Sequence, residues 1–260
     1  MNVLIMTDLE GISCVDSIEQ MSGDGYKFAC ERLMLDLNAA VEGAIEGGAK
    51  NVYVVDGHAK GSNFIYEMLD KRAKAVKLDE YHPMLQNREI DAYMKIGCHA
   101  MAGTLNGFLD HTMSSATWYN LFINGRKCGE IALGAMYVGA YGVPMVMVSG
   151  DEAACMEARD FLGDIVTVPV KYGIGRNKAC CRPSDEAISM IREGAKNAMG
   201  LIGKTHPLKP VLPAEIILEY CRSDYCDEAF KNNRQTAERL DARSLRKVIT
   251  RIEKYSDLFF

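Results

Sequence analysis

The sequence predicts an α/β protein, a three-layer sandwich around a mostly parallel central sheet, with a smaller α+β portion towards the C-terminal side. Two observations carry this prediction. Four short apolar runs, Val3–Thr7, Asn51–Val55, Ala92–Gly97 and Pro144–Ser149, have turn residues beside them and read as strands buried on both faces, as parallel sheets require. Between the first two, roughly Tyr26 to Glu46 carries Phe28, Leu33, Leu35, Leu37, Val41 and Ile45. That spacing fits an amphipathic crossover helix ending at Gly47–Gly48. Strand, helix and strand make a βαβ unit.

The remaining elements follow in order. Trp118–Ile123 and Lys127–Ile131 flank Asn124–Gly125, the strongest short hairpin signal. The second arm runs into ALGAMYVGAYG, a short helix stopped at Gly142 before Pro144. Glu130 therefore sits where a hairpin becomes a helix. Asp151 to Leu162 reads as a helix whose opening acids suit the macrodipole. Pro183–Ser184 opens another helix, running to about Met199, and a loop with Pro207, Pro210 and Pro213 follows. Glu215–Tyr220 reads as a strand, and Ser244 to Tyr255 as a final helix with Leu245, Val248, Ile249 and Ile252 on one face. The expected division is an α/β metal-binding catalytic domain at residues 1–170 and a smaller α+β domain at 171–260. There is no internal repeat and no low-complexity segment.

Composition narrows the function classes. At 260 residues the chain is long enough for a substantial core. Its net charge of −5 offers no basic face for nucleic acid or an anionic membrane. Nine cysteines, an odd number that includes the vicinal pair Cys180 and Cys181, do not make a secreted disulfide framework. Reduced thiols in a cytoplasmic protein are the simpler expectation. MNVLIMTDLEG lacks a basic start and meets an acid at residue 8, so it reads as a strand and not a signal peptide. No apolar stretch reaches the ~18 residues of a membrane span.

Five metal-capable residues carry the chemistry: Asp8 and Glu10 in VLIMTDLEG, His58 in VYVVDGHAKGSN, His99 in MKIGCHA and Glu130 in GEIALGA. The first four lie at or just past the C-terminal ends of predicted strands. In an open parallel sheet those ends line one edge, where ligands bind. Taken singly, each has a plain alternative. DLEG is equally a turn with solvated acids, and a histidine after the turn pair Asp56–Gly57 is more often structural. His99 lies among Gly97, Cys98 and Ala100, small residues that leave room around its ring. Four such residues at three strand ends are unlikely to align by chance. Together they suit a divalent cation such as zinc and point to metal-assisted hydrolysis.

His111, on the polar loop GFLDHTMSSAT, is either a solvated histidine or a proton donor or acceptor near the metal. His82 and His206 each precede proline and read as surface residues. The cysteines are mostly packing residues. Asp56 and Asp110 are either partners that orient imidazoles or solvated turn acids.

The pieces DLEG, DGH, GCHA, the DHTM segment and the NG hairpin followed by GEIALGA resemble the DppA-type zinc D-aminopeptidase family. They keep that family's order and approximate spacing across about residues 1–160, and VPMVMVSGD extends the match. The resemblance implies two Zn²⁺ ions held by Asp8, Glu10, His58, His99 and Glu130, with Asp8 bridging, and His111 as the catalytic histidine. It further implies hydrolysis of the N-terminal bond of short peptides, with N-terminal D-residues such as D-Ala. A homo-oligomeric ring, a decamer whose inner channel admits only short peptides, is implied as well. Where the family usually has serine two residues before the first Asp, this chain has Met6, which cannot donate a hydrogen bond.

Two zinc ions bring four positive charges against three from Asp8, Glu10 and Glu130. The remaining positive charge favours hydroxide over water, since zinc lowers the pKa of water from 15.7 to about 7. The main rival is a haloacid-dehalogenase-like, Mg²⁺-dependent phosphatase with Asp8 as nucleophile and Asp151 as a ligand, because MVMVSGDEAAC imitates its late Gly-Asp motif. Glu10 in place of its second Asp, Cys155 where its late second acid belongs, and three unused histidines count against it. A non-catalytic, metal-stabilised oligomeric scaffold ranks third.

Overall fold

A computed structural model of the chain describes residues 1–260. The first six strands are β1 (Asn2–Thr7), β2 (Asn51–Asp56), β3 (Ala73–Ala75), β4 (Ala92–Cys98), β5 (Trp118–Ile123) and β6 (Arg126–Cys128). The other six are β7 (Met145–Asp151), β8 (Val166–Gly175), β9 (Lys178–Cys181), β10 (Ala214–Tyr220), β11 (Glu238–Arg239) and β12 (Ser244–Ile249). The helices are α1 (Gly23–Glu46), α2 (Tyr81–Gln86), α3 (Glu130–Ala140), α4 (Glu152–Leu162), α5 (Ser184–Met199) and α6 (Ser223–Asn233).

The main sheet has the order β3-β2-β1-β4-β7-β8-β9 and is parallel except for the pairing of β9 with β8. All four predicted apolar runs are in it. Successive side chains of a strand point to opposite faces, so Val3 and Ile5 enter one core and Leu4 the other. On the first face lie α1, through Leu33, Leu37 and Val41, and α5, through Ile191 and Ala195. The second core joins Leu4 and Tyr93 to Ile131 and Leu133 of α3 and Ala154 of α4. Leu121, Ile216 and Leu218 of a second sheet complete it. That sheet is antiparallel, in the order β11-β12-β10-β5-β6. The β5–β6 turn is Asn124–Gly125, both at positive φ (51° and 75°), as a two-residue hairpin turn demands.

One predicted element is of the wrong type. Residues from Ser244 form strand β12, not a helix, followed by a 3-10 turn at Tyr255–Leu258. Leu245 pairs with Leu218 of β10 and is fully buried, while Val248 is exposed. The four apolar residues satisfied a helical spacing, but an open β10 edge and β-branched residues favoured the ladder. Residue 170, the expected domain boundary, lies inside β8. Beyond it, α5 packs on α1 and β10 pairs with β5.

The strand ends are held close by glycine. Gly11 N–H donates to the Gly97 carbonyl, and Asp8 N–H donates to Ile96. Gly97 has φ +80°, and a Cβ there would lie 2.3 Å from the Asp8 carbonyl oxygen, a distance no side chain tolerates. Its absence lets the segments after β1 and β4 run side by side.

Candidate metal centre

Asp8 and Glu10 follow β1, His58 follows β2, His99 follows β4, and Glu130 is the first residue of α3. The structure brings these five together, with His111 beside them. Their possible ligand atoms form three overlapping groups, each within 4.8 Å: Asp8, Glu10 and His58; Asp8, His99 and Glu130; Glu10, His99 and His111. Asp8 serves two groups with different oxygens. Its Oδ1 is 3.2 Å from His58 Nδ1, and its Oδ2 is 3.6 Å from His99 Nε2. Glu130 Oε1 is 3.3 Å from His99 Nε2 and 3.7 Å from His111 Nε2.

The imidazoles are held by backbone. His99 Nδ1 lies 3.0 Å from the Ala100 carbonyl and His111 Nδ1 2.8 Å from the Leu109 carbonyl. With Nδ1–H donating there, each Nε2 faces the carboxylates, and in the neutral ring its lone pair is free for a metal. The two rings stack at 3.9 Å between centroids. Asp56 and Asp110 touch neither ring. Asp56 accepts from Asn63, whose Nδ2 also donates to the His58 carbonyl, and Asp110 accepts from Gly103 N–H. Both acids shape loops instead, because the carbonyls of Ala100 and Leu109 already occupy the Nδ1 positions.

The donor set fits divalent cations. Glu10 is buried and its Oε2 has no hydrogen-bond partner, although His58 Nδ1 lies 3.0 Å away. Burial alone opposes the charges on Asp8, His58, His99 and Glu130, but the opposite charges prevail. The His58 imidazole, against its burial, is pushed up to about 11 by Asp8 and Glu10. His99 rises to about 10, held by Glu130 and Asp8, and Glu130 falls to about 2 beside His99 and Lys95. The cluster is a cation trap, and a metal ion must displace protons to enter it.

Two further residues escaped the sequence reading. Lys95 of β4 is 5 % exposed, with Nζ 3.7 Å from Asp8 Oδ2 and 3.9 Å from Glu130 Oε2. Lys171 of β8 is fully buried, and its Nζ donates to the carbonyls of Glu10, Ile12 and Val15. Burial lowers it to about 8, so it stays charged at neutral pH. In both cases a lysine inside an otherwise apolar strand was the available signal.

A family model described as D-aminopeptidase, a peptidase family, matches residues 1–259. The chain belongs to the D-aminopeptidase family. A relative named D-aminopeptidase, from Bacillus subtilis (strain 168), is 29% identical over 216 residues, covering 81% of this chain and 78% of the relative. A solved structure, described as a Zn-dependent D-aminopeptidase DppA from Bacillus subtilis and a self-compartmentalizing protease, superposes with a TM-score of 0.90. It covers 99% of this chain and 95% of its own at 23% identity, and establishes the shared fold.

Within this D-aminopeptidase-family fold the phosphatase alternative lacks its late ligand. Asp151 caps α4, accepting from Ala154 N–H at 2.8 Å, and its other oxygen accepts from Phe108 N–H. His206 is exposed, as expected. His82 is not a free surface residue, because its ring stacks on Tyr137 in the first turn of α2. All nine cysteines are free thiols, and no helix is long and apolar enough to cross a membrane.

Proposed function

We propose that this chain is a cytoplasmic zinc-dependent aminopeptidase that hydrolyses the N-terminal bond of short peptides beginning with a D-residue such as D-Ala. The observation that carries the reading is the pair of ligand groups sharing the two oxygens of Asp8. Asp8, Glu10 and His58 would hold one zinc ion, and Asp8, His99 and Glu130 the second, with Asp8 as the bridge. Bound zinc supplies a Lewis acid for the scissile carbonyl and lowers the pKa of water. The D-preference follows the names of the family and of the Bacillus subtilis relative.

His111 is the proposed catalytic histidine. Its ring is fixed by the Leu109 carbonyl and by the stack on His99, leaving Nε2 directed at the cluster. With Nδ1–H committed to Leu109, a proton on Nε2 makes the ring cationic. That form can stabilise an oxyanion or protonate the departing amine. A cleft lined by Glu10, His58, Leu109, His111, Ser115 and Arg176 gives access from this side. A Glu10 carboxylate oxygen there suits a peptide's α-ammonium group. The description of the DppA structure as self-compartmentalizing supports a homo-oligomer enclosing this site, and the family resemblance implies a decameric ring.

Metal analysis of the purified chain, followed by D- and L-alanyl peptides, tests the proposal. Two zinc ions per chain and faster release of D-Ala than L-Ala are expected. Full zinc occupancy without peptide cleavage, or Mg²⁺-dependent turnover of phosphate esters, would overturn it.

A further inference from the structure

A second cavity reaches the centre, with walls that do not include His111. It measures about 70 Å³. On the measure by which one water needs about 10–15 Å³, it has room for a few waters or a small polar group. Its walls include Met6, Tyr81, Tyr93, Tyr137 and Tyr255, together with Asp8 and Glu130 of the cluster. One cation lines it, Lys95.

Met6 and Lys95 are register partners on β1 and β4 and face the same cavity. The Met6 sulfur accepts from the Tyr93 hydroxyl at 3.1 Å and offers nothing to an ammonium. Lys95 Nζ makes no hydrogen bond. Its nearest carboxylate oxygens, at 3.7 and 3.9 Å, lie beyond hydrogen-bond reach. The side chain is only 7 % exposed, and it lines this cavity. Asp8 and Glu130 balance its charge but leave its three donors free for an acceptor placed in the cavity.

Metal loading sharpens this. Asp8 and Glu130 are the acids that attract Lys95, and both would then share their charge with zinc. Lys95 also raises the net positive charge of the loaded centre from one to two, leaving one charge for hydroxide and one for another anion.

We propose that Lys95 makes this cavity a specificity pocket for a carboxylate group of the substrate. The inference rests on the aminopeptidase reading above and adds a substrate class to it. The carboxylate is either that of an acidic N-terminal side chain or the C-terminal carboxylate of a dipeptide.

The test uses the full zinc-loaded chain and two matched pairs. D-Glutamyl and D-glutaminyl p-nitroanilide differ in a side-chain carboxylate and have no C-terminal one. D-Alanyl-D-alanine and its amide differ only at the C-terminus. In at least one pair kcat/KM should favour the carboxylate by about tenfold or more, the usual size of a hydrogen bond to a charged group. Lys95→Met should erase that preference and Lys95→Arg should retain part of it, with Lys95→Gln as the second neutral variant if the first fails to fold. A preference in the first pair assigns the N-terminal side chain, and in the second the C-terminus. Equal kcat/KM within both pairs, or a preference that survives neutral replacement in a folded, zinc-loaded variant, overturns the proposal. Should none of the four be cleaved, the aminopeptidase reading fails on its own. Calorimetric binding of the same four compounds then decides: tighter carboxylate binding that depends on Lys95 supports the pocket, and equal binding refutes it.

Discussion

Asp8 and His111 lie within one cluster but are expected to fail differently. Asp8 joins both ligand groups, so Asp8→Asn should lower zinc content towards one ion per chain or none. His111 is hydrogen-bonded to backbone and borders the cluster through Nε2 alone. His111→Ala should keep its zinc and lose at least ~10² in kcat, the usual scale of general acid–base catalysis. Near-normal turnover in zinc-loaded His111→Ala would remove that residue from the reaction. The candidate ligands were legible in the sequence because each sits at a strand end or a helix start, where backbone geometry fixes its direction. Lys95 was not, because one lysine in MKIGCHA does not disturb an apolar run enough to announce a buried charge. Nor could motifs show that carbonyls, not Asp56 or Asp110, orient the rings, since those contacts come from loop conformation.

Among the elements, α4 links the loop after His99 to the main sheet. Glu157 on this helix accepts from Met101 N–H at 2.7 Å, while its Oε1 is buried without a partner. Burial pushes its carboxyl up to about 7. The folded protein therefore holds a proton that the unfolded chain releases near the ordinary Glu value, about 4.3. Stability from this group is fully present below that value and is lost as pH rises through about 7. Its slope is at most about 1.4 kcal/mol per pH unit. Urea unfolding at pH 5 and pH 8 should show a smaller difference in Glu157→Gln than in the unaltered chain, and an identical difference would dismiss Glu157 as its source. At this scale the central strands were readable because double-sided burial leaves continuous apolar runs. The error at Ser244 has the opposite cause. A half-buried strand leaves a mixed pattern, and only pairing with β10 decides between ladder and helix.

For the whole molecule, zinc and protons would compete at the proposed centre. In the metal-free chain His58 and His99, at about 11 and 10, are cationic at neutral pH. Both must become neutral to bind metal. Each folded value exceeds the unfolded ~6.5, so the ion pairs stabilise the metal-free fold most fully below that pH, and the contribution fades as pH rises towards 10–11. Calorimetry of zinc binding at pH 7, in buffers of different ionisation enthalpy, should record at least two protons released per loaded chain, one from each imidazolium and a further one where bound water ionises. Buffer-independent heats would contradict this. Zinc at a hundred times its Kd should add about 2.7 kcal/mol to unfolding stability for each site filled.

The ammonium of Lys171, anchored to three carbonyls of the segment from Glu10 to Val15, acts as a covalently tethered counterpart of a structural cation. Chelators cannot extract it. Stripping the zinc should therefore leave the strand-end loop poised, and activity should return as fast as zinc can be mixed in. Recovery that lags behind metal uptake would mean that the loop collapses when emptied.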